Sequence, residues 1–233
     1  MASTATEPST RDETARVDWA RRVLLVVLVL LAVTAGSLIQ GNLVLVGMSW
    51  LARGTTDLDA GPRLDGVRKL YVVDEKVWRG AQPSAVGFQS LAAHGVKTVV
   101  DLRPGSDARK QDEDLRALGL DPVHLPVTDG RPPSAMQVRE FVAVVRESNG
   151  RVFVHCGEGV GRAGTMSAAY KVTTGETDST TAVRESLAVG VLTLEQVAFI
   201  RTLDRDGAQD PPAVATAVSR FLDGPRQLFN RLI

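Results

Sequence analysis

Val152-Phe153-Val154-His155-Cys156-Gly157-Glu158-Gly159-Val160-Gly161-Arg162-Ala163-Gly164-Thr165 reads as a buried apolar strand, a glycine-rich loop and the first turn of a helix. The chain's only cysteine stands five residues before Arg162, with His155 before it and Gly157, Gly159 and Gly161 between. Glycines let successive backbone N–H groups turn inward as a nest, and a helix starting near Arg162 points its positive end at the same place. A dianion fits there. Arg162 offers a planar fork for two phosphate oxygens, and the same field favours the Cys156 thiolate, the nucleophilic form. The ordinary alternative is a core cysteine after a buried strand, which leaves the three glycines and the arginine unexplained.

The His-Cys-(five residues)-Arg run resembles the signature of the cysteine-dependent protein tyrosine and dual-specificity phosphatases, most closely their small dual-specificity branch. The resemblance extends from about Leu70 to Leu203 and includes Trp78-Arg79-Gly80-Ala81-Gln82-Pro83 and Val99-Val100-Asp101-Leu102-Arg103-Pro104. It implies that Cys156 attacks phosphorus to give a cysteinyl-phosphate and that His155 orients and tunes the cysteine. By the same resemblance Gly157, Glu158, Gly159, Val160, Gly161 and Arg162 cradle the phosphate. No cofactor and no metal are implied.

A phosphate ester leaves poorly as an alkoxide, so the chemistry needs a general acid on a loop facing the nucleophile. In the family an aspartate a few tens of residues before the cysteine serves. Asp129, 27 residues upstream in Pro126-Val127-Thr128-Asp129-Gly130-Arg131-Pro132-Pro133, is the first choice. Asp101, at a strand's carboxyl end, is the runner-up and could instead pair with Arg103; Asp121 begins a strand, at the wrong end. The loop departs from the family twice. Ala163 stands where most members carry Ser or Thr to stabilise the departing thiolate, with Thr165 two residues further on. Glu158 lies inside the cradle, with no lysine in the loop, which favours a phosphoprotein over a phosphoinositide.

Strands alternate with helical stretches along the rest of the domain. A hairpin is expected over Leu70–Val73 and Val77–Arg79, then a helix capped by Ser84, the strand Lys97–Leu102 and a charged helix from about Asp107 to Leu118. Pro122–Val127 follows as an edge strand, then a helix opened by the capping box Ser134 to Gln137 and the strand Arg151–His155. Helices at about 162–172, 180–189 and 194–203 complete the pattern. It predicts an α/β fold with a mostly parallel central sheet flanked by helices.

The chain has 233 residues, 44% of them hydrophobic, and a formal charge of zero, which gives no reason to expect nucleic acid as a partner. One cysteine excludes an internal disulfide, and His94, His124 and His155 lack metal-ligand spacing. No charge appears from Val23 to Ala52, 30 residues, whereas ~20 apolar residues suffice to span a bilayer. The expected organisation is a disordered tail (1–22), one transmembrane anchor (23–52), a linker (53–66), the phosphatase domain (67–205) and a C-terminal tail (206–233). A cleaved signal peptide near Val33-Thr34-Ala35 is the rival for the apolar run. Arginines are more numerous on its amino side, which favours a single-pass membrane protein with its catalytic domain outside the cytoplasm. The tail residues Phe221, Leu222, Leu228 and Phe229 suit either a short amphipathic segment lying on the membrane or simple packing. Three functions compete: a phosphomonoesterase acting on phosphotyrosine, with phosphoserine or phosphothreonine as further substrates; a feeble phosphate-binding module; and a rhodanese-like sulfur carrier.

Overall fold

The computed structural model describes residues 23–29, 43–204 and 211–221. The chain divides into a unit at Met1–Val44 and a larger one at Leu45–Ile233.

The larger unit is built on a five-stranded sheet in the order β1-β2-β5-β3-β4, formed by Tyr71–Val72, Val77–Ala81, Val96–Asp101, Asp121–His124 and Arg151–Cys156 as β1 to β5. β2, β5, β3 and β4 are parallel and only β1, hairpin-joined to β2, is antiparallel. β5 is central, flanked by β2 and β3, and its apolar run is buried on both faces as parallel strands require. β4 carries Pro122 at the edge, where a missing ladder donor costs nothing.

Period-two alternation divides the core. Val77, Val100, Val152, Val154 and Cys156 face one side, covered by α4 (Ala135–Glu147), α5 (Gly161–Thr173), α6 (Ser179–Val189) and α7 (Leu194–Arg201). Trp78, Val99 and Phe153 face the other, covered by α2 (Ala85–Ala93) and α3 (Asp112–Ala117). The charged helix expected from Asp107 begins instead as a 3-10 segment, Ser106–Gln111, and becomes α3 only at Asp112. The capping boxes at Ser134 and Thr193 are both formed. α5 is buried nearly throughout because Ala163, Gly164, Ala168 and Ala169 let it lie close against the sheet.

The transmembrane helix expected over 23–52 is overturned. Among the described residues no helix is long and apolar enough to cross a membrane. Residues 23–29 are helical. Residues 43–55 are helical too, and are called α1. There the Ser49 hydroxyl donates to the Leu187 carbonyl at 2.8 Å, and Ala52 is buried in the core, so α1 docks on α6. Ser49 and Ala52 face the protein, while Leu43, Val44, Val46, Trp50 and Leu51 of the same helix stay exposed. Single-pass membrane localisation and an extracytoplasmic catalytic domain lose their basis with it. Residues 30–42, the rest of the anchor reading, lie outside the described residues.

The stretch read as a linker runs along the domain. Asp59 accepts the Val72 N–H at 3.0 Å through its carbonyl, Gly66 does the same for Ser84 at 3.0 Å, and Leu64 is buried. Helix α8, at 213–221, docks beside α7: Ser219 Oγ accepts the Glu195 N–H at 3.0 Å, and Arg220 pairs with Glu195 at 3.2 Å. The amphipathic reading of the remaining tail, 222–233, falls outside the described residues.

Candidate active site

Cys156 is the last residue of β5, at the carboxyl edge of the sheet, where ligands of open α/β sheets bind. Its side chain is 2% exposed, and Sγ accepts the Gly159 N–H at 3.3 Å. Gly159 has φ +72°, and a β-carbon there would come within 2.4 Å of the Ala81 nitrogen. Only glycine lets the loop press against the end of β2. Gln82 closes the contact by donating its N–H to the Gly157 carbonyl at 3.1 Å. α5 starts at Gly161 without a side-chain cap, so its first N–H groups stay directed at the loop as anion donors.

Arg162 lies in the first turn of α5. Its Nη1 donates to the Val127 carbonyl at 3.4 Å and its Nη2 sits 3.1 Å from Asp129 Oδ1. Nε is buried and unpartnered among the described residues. The structure thus places Asp129 against Arg162, whose Nη2 also lies 3.9 Å from where a Gly157 β-carbon would be. Asp129 is about half exposed on its loop. That loop is held from below by α7: Thr193 Oγ1 donates to the Gly130 carbonyl at 2.8 Å, and Gln196 Nε2 to the Arg131 carbonyl at 3.3 Å. Gln196 also abuts the catalytic loop, since a β-carbon on Gly161 would lie 3.0 Å from its Nε2. Thr193 and Gln196 are visible in the sequence only as a helix capping box. Their second task depends on contacts more than sixty residues away.

Asp101 is not free for proton transfer. It is buried, takes Arg103 Nε at 3.0 Å on both oxygens and Nη2 at 2.6 Å, and caps the Arg103 N–H at 2.8 Å. Arg103 in turn donates to Gln82 Oε1 at 2.6 Å, tying the segment before α2 to the strand end. Asp121 begins β4, as expected from its place in the sequence.

His155 is buried on the face of the sheet opposite Cys156, stacked on Phe153 with ring centroids 6.0 Å apart and edge-on to Phe88. Among the described residues the ring's one hydrogen bond is the 3.4 Å contact of Nδ1 with the Cys156 carbonyl. Burial pushes its pKa down to about 4, with Asp101, 3.9 Å away, pulling weakly the other way. The ring is neutral at pH 7 and can support the Cys156 backbone, but it provides no positive charge beside the sulfur.

Since the folded ring titrates near 4 and the unfolded one near 6.5, the unfolded chain binds the extra proton between those values. The stability due to the neutral ring is therefore complete above pH 6.5 and lost as pH falls through that window, on the order of 3 kcal/mol in all. Denaturant unfolding at pH 7 and pH 4.5 should show this loss in the wild type and a much smaller one in His155→Asn. Equal losses in both would assign it to other groups.

Both departures of the loop have a structural outcome. Thr165 Oγ1 donates back to the Gly161 carbonyl at 2.8 Å and Ser167 Oγ to the Ala163 carbonyl at 2.8 Å, so each hydroxyl is committed to its own helix. Neither replaces the hydroxyl that Ala163 lacks. Glu158 points outward, with its carboxylate 3.4 Å from Lys69 Nζ and 69% of the side chain exposed. It belongs to the rim, with a cation beside it, rather than to the floor of the cradle.

A five-stranded, largely parallel sheet ending in a Cys-x5-Arg loop defines a dual-specificity-type phosphatase. The family model described as DSP-PTPase phosphatase fused to NAD+ kinase matches residues 69–202, and the chain belongs to that family. A probable chloroplastic NAD kinase 2 of Oryza sativa subsp. japonica is 36% identical over 102 residues, 40% of this chain and 10% of that protein. The chain thus spans about a tenth of that relative's length. Among solved structures, TpbA of P. aeruginosa aligns with a TM-score of 0.50 and 24% identity over 59% of this chain and 86% of its own. PTPMT1, solved in complex with PI(5)P, aligns with a TM-score of 0.51 and 19% identity over 57% and 92%. These two likenesses establish the fold.

Proposed function

We propose that the protein hydrolyses phosphate monoesters on phosphoproteins, phosphotyrosine above all, through a phosphate covalently held on Cys156. The observation that carries this reading is the convergence on one spot of the Cys156 sulfur with its Gly159 N–H donor and of Arg162 with Asp129 at 3.1 Å. In the first step the Cys156 thiolate forms an S–P bond as the P–O bond to the leaving group breaks, and Asp129 gives its proton to the departing oxygen. In the second, water attacks phosphorus, Asp129 takes its proton, and the S–P bond breaks to return the thiolate. Arg162 Nε and the loop N–H groups hold the equatorial oxygens throughout. A sulfur carrier, the third function considered from sequence, has no use for an acid placed against the arginine. A phosphoprotein is favoured over a phosphoinositide because Arg162 is the loop's only cation and Glu158 stands at its rim. Phosphatase assay of the full chain on a phosphotyrosine peptide, a phosphothreonine peptide and a phosphoinositide is the direct test. A clear preference for the lipid would overturn the substrate assignment.

One observation favours a slow variant of this chemistry, approaching the phosphate-binding module also considered from sequence. With Ala163 apolar and Thr165 bonded back to its helix, no hydroxyl assists the thiolate as it leaves. Rapid mixing with an activated aryl phosphate should give a burst of phenol, a slow steady state and protein carrying phosphate on Cys156. Ala163→Ser should shrink the burst and raise the steady rate. A hydrogen bond to a charged group is worth about 1.5–3 kcal/mol, roughly ten- to a hundredfold in rate. No burst, together with an unchanged rate in the serine variant, would place the slow step elsewhere.

A further inference from the structure

Arg79 is a buried cation without a matching anion. It lies on β2 opposite Tyr71 of β1, is 5% exposed, and its guanidinium carbon sits 5.5 Å from the centre of the Tyr71 ring. Among the described residues it makes no ion pair and donates no side-chain hydrogen bond, its aromatic neighbour being its one close polar partner. An unpaired buried charge costs several kcal/mol, so such groups are ordinarily paired or bound to something. Burial lowers its pKa only to about 10, so it remains charged at neutral pH.

The guanidinium borders a cleft of about 220 Å³ between β1, β2, α5 and α6, lined also by Tyr71, Gly164, Ser167, Lys171 and Glu185. None of residues 156–162 lines it, although Cys156, with Tyr71 and Glu185, is among the groups whose charge acts on Arg79. Gly164 leaves room for the guanidinium: a β-carbon there would lie 2.6 Å from Arg79 Nη1. The carboxylate best placed to neutralise Arg79, Glu185, is engaged by Lys171 at 2.8 Å instead. Asp57 and Asp59 also border the cleft but are exposed, and Asp59 accepts the Gly61 N–H at 2.8 Å.

We propose that this cleft is a second binding site, in which the free edge of Arg79 takes the single oxyanion group of a small molecule, a carboxylate or a phosphate. The size of the cleft suits a small molecule. The three carboxylates around the cleft disfavour a polyanion, and the planar fork favours a two-oxygen contact. Because Gly164 lies in the first turn of α5, two residues after Arg162, an occupant touches the helix that carries the catalytic arginine.

The test uses the full chain with Arg162→Ala, which weakens the catalytic cradle as an anion site, and the Arg79→Met comparison separates the cleft from what anion binding the cradle retains. Inorganic phosphate and acetate are titrated separately while the amide resonances of Gly164 and Ser167 are followed. Saturable shifts with either anion are expected, and which anion binds more tightly tells a phosphate from a carboxylate occupant. Adding Arg79→Met should weaken binding at least about tenfold, the worth of a charge-assisted hydrogen bond. Glu185→Gln, which frees Lys171 and removes a competing carboxylate, should tighten it roughly fivefold. Absence of saturable shifts with both anions, or equal affinity with Met at position 79, overturns the site. If the methionine variant does not fold, unchanged affinity in Glu185→Gln overturns it.

Discussion

Cys156→Ser is expected to abolish turnover while leaving phosphate binding nearly intact. A serine hydroxyl becomes a nucleophile only if a base takes its proton, and the nearest imidazole cannot serve. His155 faces the other side of the sheet, packed between Phe153 and Phe88, and among the described residues its ring bonds only to a carbonyl. Loss of a covalent nucleophile without a substitute costs on the order of 10⁶ in rate where it has been dissected. The groups that would bind the anion survive the change: the Gly159 N–H, Arg162 and the uncapped start of α5. Turnover on a phosphotyrosine peptide should fall to background, while inorganic phosphate, titrated by calorimetry, should bind within a few-fold of wild type. Undiminished turnover would refute the covalent mechanism. Loss of binding along with turnover would show that the thiolate organises the loop.

The loop chemistry was legible because it is local. Cysteine, glycines and arginine lie within seven residues, and the φ of +72° at Gly159 is the kind of requirement that a glycine in such a loop announces. The sheet was legible for a related reason, since β3 and β5 are short apolar runs bounded by turn residues and α4 has a complete capping box. What escaped the reading is what needs a distant partner. Glu158 turns to Lys69, 89 residues away, and the Asp129 loop rests on Thr193 and Gln196, whose sequence pattern says only that a helix begins.

The apolar run at 43–52 failed for a different reason. The two residues that dock this helix are the small Ser49, bonded to Leu187, and Ala52, whose partners lie far off in the chain, whereas the large apolar residues that suggested a membrane stay exposed. His155 is the opposite case. Successive residues of a strand face opposite sides, so its separation from the Cys156 sulfur followed from their adjacency alone. A tuning role through the ring's charge could have been set aside before any coordinates.

Asp129→Asn should distinguish an acid from an anchor. Asp129 touches Arg162 at 3.1 Å, and an alanine there would remove both the proton donor and the contact that helps to place the guanidinium. Asparagine keeps an oxygen able to accept from Arg162 Nη2 but has no proton to give to a leaving oxygenate. If the residue is the general acid, the loss depends on what leaves. Phosphotyrosine releases a phenolate whose conjugate acid has a pKa of about 10, and it should slow by about 10²–10⁴. An aryl phosphate with a strongly acidic phenol departs without help and should slow far less in the step that forms the cysteinyl-phosphate, read from the burst. If Asp129 only anchors Arg162, both substrates lose the same factor, because the arginine holds the equatorial oxygens whatever the fourth substituent on phosphorus. The tie of this loop to α7 sharpens the comparison. Gln196→Ala releases the Arg131 carbonyl without touching the acid and so should slow both substrates alike, which provides the pattern of a purely positional defect. Asp129→Asn showing that same pattern would make it an anchor, whereas a slope against leaving-group acidity steeper than that of wild type identifies it as the proton donor.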